Sequence, residues 1–158
     1  MMDTFNSKMA PLFFDRQTRS AFLPDALKKI IDNGVSTFCG ASLFASKLNK
    51  ETQRQLEAGA YFDLSGFEFT NNKIFIEDLC DSKEVIDVSF LFVDLFSEVL
   101  QSKFNNLTFL LILSLEVGGE FGTQSMITFY VDRCNEQVLD TSDIEKFIHP
   151  IFVRKLVL

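Results

Sequence analysis

From Ser82 to Asn106 the chain reads SKEVIDVSFLFVDLFSEVLQSKFNN, apolar around most of a helix's circumference with one narrow acidic stripe. At ~100° per residue, with Glu84 at zero, Asp87 falls near ~300°, Asp94 near ~280° and Glu98 near ~320°. Leu91 lands among them near ~340°. Val85, Ile86, Val88, Phe90, Phe92, Val93, Leu95, Phe96, Val99, Leu100 and Phe104 cover the remaining arc. A helix apolar over so wide an arc is buried on more than one side, so the pattern predicts a long central helix with a sheet on one flank and other helices on another.

The rest of the chain is read around that helix. Residues 1–23 carry no clear period, with Pro11 inside them, and a helix is expected over part of Asp15 to Phe22. Pro24 suits the first turn of a helix through Asp32, ended by Asn33-Gly34. Ser36 is positioned to cap a helix to about Leu48, where Phe38, Ala41, Ala45 and Leu48 recur at spacings of three or four. Lys50 to Ala58 predicts another short helix, closed by Gly59. The N-terminal third therefore reads as helical.

A β-hairpin is expected next. Phe62 and Leu64 share one parity and Phe67 and Phe69 the other, which a bulge at Ser65-Gly66 reconciles. Asn71-Asn72 supplies the turn, pairing Phe69 with Ile74, Phe67 with Ile76 and Glu68 with Phe75. After the long helix, Leu107 to Glu116 is apolar on nearly both faces and predicts a central strand. Gly118 to Gly122 reads as a hairpin loop, with Ser125 to Asp132 pairing back. Asp140 or Thr141 caps a short helix through Ile148, and Ile151 to Leu158 forms a last strand. The fold class expected is α+β: a single domain over 1–158, with a helical N-terminal third and a mainly antiparallel sheet of about five strands packed on one long central helix.

Composition sharpens this. Hydrophobic residues make up 47% of the 158, with 19 Phe, enough for a packed core in one domain. The net charge is −7, which repels nucleic acid and anionic membranes and attracts basic partners. The acidity is uneven: residues 1–55 hold eight bases against five acids, whereas residues 56–158 hold 17 acids against seven bases. Between Glu77 and Asp94 six acids (Glu77, Asp78, Asp81, Glu84, Asp87, Asp94) meet one base, Lys83. Capping by Asp81 or Ser82 and a helix dipole account for acids at the start of the helix. They do not reach Asp94 or Glu98.

Little points to catalysis. The single His149 precludes His-rich metal sites, and nothing visible orients it toward Cys134 as a nucleophile pair. Cys39, Cys80 and Cys134 are odd in number and lack CxxC spacing. With an N-terminus lacking an apolar signal core, they point to a reducing, cytoplasmic compartment. The longest mainly apolar run, Leu107 to Leu115, is too short to span a bilayer as a helix. Gly118 to Gly122 lacks the Lys and the strand-to-helix setting of a phosphate loop. Asp78, Asp81 and Glu84 lack calcium-loop spacing. The expectation is no enzyme, no catalytic residue, no metal and no cofactor.

Small size, focused acidity and Phe-rich α+β patterning resemble bacterial immunity proteins of contact-dependent or polymorphic toxin systems. Met126-Ile127-Thr128-Phe129-Tyr130-Val131-Asp132-Arg133, followed by Leu139-Asp140 and a short acidic helix, adds to that resemblance. The resemblance implies a protein partner: a cognate toxin domain, often a basic nuclease, blocked by an acidic surface. The charge pattern nominates Glu77, Asp78, Asp81, Glu84, Asp87, Leu91, Asp94 and Glu98 for that surface, on a monomer or weak homodimer that binds neither nucleic acid nor membrane. A secretion chaperone or adaptor holding an effector segment, and a cone-shaped α+β domain around a small ligand, are the alternatives.

Overall fold

A computed structural model of the chain describes residues 1–15 and 22–158; the helix expected over Asp15 to Phe22 lies largely outside them. The first half runs β1 (Met2–Phe5), α1 (Ala10–Asp15), α2 (Asp25–Asn33), β2 (Val35–Phe38), β3 (Ala41–Phe44), α3 (Lys50–Glu57), α4 (Leu64–Asn71) and β4 (Ile74–Phe75). The second half runs α5 (Val85–Lys103), β5 (Thr108–Gly119), β6 (Gly122–Val131), a 3-10 segment at Thr141–Lys146 and β7 (Ile151–Val157).

The apolar run after α5 becomes β5, the middle of a five-stranded antiparallel sheet in the order β1-β7-β5-β6-β4. Both faces of β5 are apolar because both are covered. Phe109, Leu111, Leu113 and Leu115 join Phe90, Phe92, Val93, Phe96 and Leu100 of α5 in one core. Leu110 and Ile112 face the other way, under Val138, Leu139, Ile144 and Phe147. Phe92, Phe96, Leu111 and Phe129 are fully buried, whereas Val99 is half-buried at the core's margin. The β5–β6 tip needs glycine, since Gly118 and Gly122 take φ of 71° and 87°. No helix among the described residues is long and apolar enough to cross a membrane.

The sheet has the expected number of strands but a different membership. Met2–Phe5 contributes an edge strand, with Asp3 opposite Arg154, so the N-terminal third is not uniformly helical. The helix expected from Ser36 to Leu48 is a hairpin, β2 pairing β3 with Val35 opposite Phe44, followed by one 3-10 turn at Ala45–Lys47. Its turn is Cys39-Gly40, both at positive φ, and Ser36 sits inside a strand instead of capping a helix. The spacing of Phe38, Ala41, Ala45 and Leu48 mimicked one helical stripe across two strands, their turn and a 3-10 turn.

The first strand of the hairpin expected over 62–76 is instead helix α4. Asp63 is its N-cap and accepts a hydrogen bond from the Gly66 amide. A Cβ on Gly66 would sit 2.9 Å from that carboxylate, so a larger residue there would push the Asp63 side chain out of its capping position. The parity switch at Ser65-Gly66 marks a helix start, and no bulge is present. The expected pairs Phe69–Ile74, Phe67–Ile76 and Glu68–Phe75 do not form; β4 pairs with β6 instead.

What α4 does explains why it is helical. Glu68 and Asn72, four residues apart, point from one helix face into the seam between β3 and β6. Glu68 is fully buried. Its carboxylate accepts from the Ser42 amide (2.7 Å), the Val131 amide (2.7 Å) and the Arg133 guanidinium (2.7 and 2.8 Å). Asn72 accepts from the Phe44 amide (2.9 Å) and donates to the carbonyls of Ser42 and Phe129 (both 3.0 Å). Two strand edges that would otherwise bury unpaired backbone groups are thus satisfied by two side chains.

Glu68→Ala removes a buried carboxylate and strands two amides and a guanidinium, so a loss of about 3–5 kcal/mol is expected. Phe96→Ala in the main core should cost a similar ~3–5 kcal/mol. Both are read by urea unfolding, and a loss below about 1 kcal/mol for Glu68→Ala would show that the seam is not held this way.

Candidate functional site

The eight residues nominated for the partner surface separate into three environments. Ile76 donates its amide to Ser125, and the chain then leaves the sheet through a loop ending at α5. Glu77, the first residue of that loop, accepts from the Ser125 amide at 2.9 Å and is half-buried. Asp78, Asp81 and Glu84 are exposed. The expected cap by Asp81 or Ser82 does not form. Glu84 occupies the N-cap position and makes no side-chain cap bond, while Asp81 accepts from the Lys83 amide in a turn before it.

Cys80 records how these acids converge. Burial, then the charges of Glu84, Asp81 and Glu77, push its thiol above the ordinary value. Glu84, Asp81 and Glu77 thus bear on one sulfur from a distance, and burial with their charge keeps it a poorly nucleophilic thiol. All three cysteines are free. Among the described residues no group of three or more His, Cys, Asp or Glu is placed to hold a metal ion.

Along α5 the stripe is largely committed to the fold. Asp94 accepts from the Arg154 guanidinium at 2.7 Å. Arg154 lies on the core side of β7 with its side chain only 5% exposed, and it also grips Asp3 of β1 through two hydrogen bonds of 2.7 and 2.9 Å. This buried arginine ties α5, β7 and β1 together, so Asp94 has a structural role where a partner contact was expected. Leu91 is half-buried against the main core, as is Leu95. Asp87 is half-buried in the first turn of α5. Glu98 is exposed but stands apart, on the rim of an open cleft of about 580 Å³ between α2 and α5, lined by Leu23, Ile31, Leu95 and Val99.

The structure brings to the acidic loop a residue that sequence order kept distant. Glu116 of β5 lies opposite Gln124, next to Ser125, which Glu77 contacts. Glu77 and Glu116 line one small cavity with Phe75, which is 48% exposed. Glu120 is exposed at the adjoining β5–β6 tip. The acidic end of the molecule is therefore Glu77, Asp78, Asp81, Glu84 and Glu116, not a stripe down α5. The only sequence signal for Glu116 was its parity at the end of an apolar strand.

A family model described as "Uncharacterized protein PM0498 family" matches residues 4–156. The chain belongs to that family. The match takes in the α4 seam and the acidic end whole, and of the strands it leaves out only Met2 and Asp3 of β1 and Val157 of β7. No curated protein and no solved structure matches the chain.

Two outcomes test this anatomy. Asp94→Lys sets a cation beside Arg154 and should lower stability by about 1–3 kcal/mol, whereas Glu84→Lys should cost about 1 kcal/mol or less; equal losses in urea unfolding would refute the assignment. In iodoacetamide labelling at neutral pH, Cys80 should react more slowly than Cys39 and Cys134, and Glu84→Gln should speed Cys80 alone, because removing a neighbouring charge favours the thiolate.

Proposed function

We propose that the chain is a cytoplasmic immunity-type binding protein whose acidic end covers the basic surface of a cognate toxin domain. On this reading it catalyses no reaction and needs no cofactor. The observation that supports it most is that Asp78, Asp81, Glu84 and Glu116 are exposed at one end and form no ion pair among the described residues. Carboxylates in that state keep their full field for a partner, unlike Asp94, which is already neutralised by Arg154. Aligned against Lys and Arg, such groups speed encounter and penalise wrong partners. The same field disfavours nucleic acid and anionic membranes.

An acidic end held outside the core can also change without unfolding the domain, which suits a surface matched to one partner. A single copy suffices, since the residues involved come from one chain.

The test is binding of the protein domain encoded immediately upstream, followed by surface plasmon resonance at low and high salt. Asp81→Lys with Glu84→Lys should leave the fold intact, slow association at least tenfold at low salt, and lose most of the salt dependence. Unchanged association at both salts would remove this end as the contact surface.

A further inference from the structure

The outer face of the sheet, away from α5, is only partly covered. Leu110, Ile112, Tyr130, Ile151 and Val153 lie under the 138–147 segment and Phe69 of α4. Beyond them the same face continues in two rows that the strand register defines. Phe75 of β4, Met126 of β6 and Ser114 of β5 stand side by side, and Gln124 stands beside Glu116 in the next. Glu77 closes that second row on one side, fixed by the Ser125 amide. His149 closes it on the other, one residue before Pro150, whose carbonyl accepts from the Leu115 amide. Between these side chains lies a cavity of about 140 Å³.

Its size and walls restrict what can enter. A cavity of about 140 Å³ is well below the ~300–1,000 Å³ of small-molecule and cofactor sites, but it admits one long side chain. One wall is the half-exposed ring of Phe75, and carboxylates stand on two sides. Lys73, two residues before Phe75, has its ammonium 5.2 Å from the Phe69 ring centre and does not line the cavity. No lysine or arginine lines it among the described residues, and His149 is the one basic side chain on its wall. A planar guanidinium fits such a site better than an ammonium, because it can stack on an aromatic face while its edges donate to carboxylates.

We propose that this cavity is the receptor for one arginine side chain of the protein partner, stacked on Phe75 and held between Glu77 and Glu116. The proposal rests on the reading that the acidic end binds a basic protein and names the partner group that anchors it. Phe75 then supplies the aromatic anchor that the acidic loop lacks.

The experiment is an amide NMR titration of the full chain with Nα-acetyl-argininamide, with the lysine and citrulline counterparts as comparisons. Expected are saturable shifts at Glu77, Gln124 and Ser125 with the arginine compound, weaker ones with lysine, and none with citrulline, which keeps the shape and loses the charge. Phe75→Leu and Glu116→Gln, both at solvent-facing positions, should each weaken binding about two- to fivefold while leaving the rest of the spectrum in place. Equal shifts with citrulline, or no saturable shift at millimolar concentration, overturn the proposal. Asp81→Lys separates this from the wider reading, since Asp81 does not line the cavity. A failed titration alongside toxin capture that still depends on Asp81 overturns the cavity alone. A successful titration alongside toxin capture that is indifferent to Asp81→Lys but weakened by Glu116→Gln upholds the cavity and overturns the wider acidic surface.

Discussion

The buried carboxylate of Glu68 is the constraint on which the rest of the architecture turns. Two sheets meet at a seam, the five-stranded sheet at β6 and the β2–β3 hairpin at β3, and neither continues into the other as a strand ladder. A seam of that kind leaves amides and carbonyls facing each other with no partner, at a cost of several kcal/mol in a dry interior. Glu68 and Asn72 fill it from a helix, each bonding to both sides. The charge this buries is balanced by Arg133, which also donates to the Gly40 carbonyl and so pins the hairpin turn. Once the hairpin is fixed, Phe44 is delivered against Phe92, Phe96 and Phe129 at centroid distances of 4.7 to 6.2 Å. A polar network at the seam therefore positions an aromatic cluster of the core.

This also explains which parts of the fold were legible in the sequence. α5, β5, β6 and β7 each bury a face against a neighbour, and a buried face leaves a period in the sequence, so their places emerged within a few residues. β1, β2 and β3 are four residues each, too short to establish alternation. Around them the spacing of Phe38, Ala41, Ala45 and Leu48 matched a helix by coincidence of turn length. α4 was misread for a deeper reason. Its decisive residues are polar, and a sequence scan weighs Phe67 and Phe69 as a strand while treating Glu68 as solvent-facing. In the fold Glu68 is among the most buried residues of the chain. Tertiary demand for hydrogen-bond partners overrode local pattern there.

The candidate site divides along the same line. The concentration of acids between Glu77 and Glu84 was visible because it depends only on composition, and the structure keeps those residues at one end. The extension along α5 to Asp94 was not visible as structural, because the residue that claims Asp94 is Arg154, 60 positions away. An acid on a helix face looks identical whether it awaits a partner or neutralises a buried arginine. Glu116 failed to stand out for the converse reason: only the strand pairing places it near Glu77.

Arg154 and the acidic end illustrate how one charge pattern serves two purposes. At Arg154 the geometry is closed: Asp3, Asp94 and Ser97 surround the guanidinium, and the side chain has no room for an external ligand. At the cavity between Glu77 and Glu116 a related set of groups, carboxylates on two sides with a Phe ring at hand, is open to solvent. Arg154 itself has its guanidinium carbon 5.3 Å from the Phe152 ring centre while bound by Asp3 and Asp94. The molecule thus already contains, in its interior, a satisfied arginine held by an aromatic ring and two carboxylates. The outer cavity offers the same three elements without the arginine. On the proposed reading the outer cavity is the acceptor half of such an arrangement, since a neutral or anionic group entering there would bury carboxylates with little to offset their desolvation.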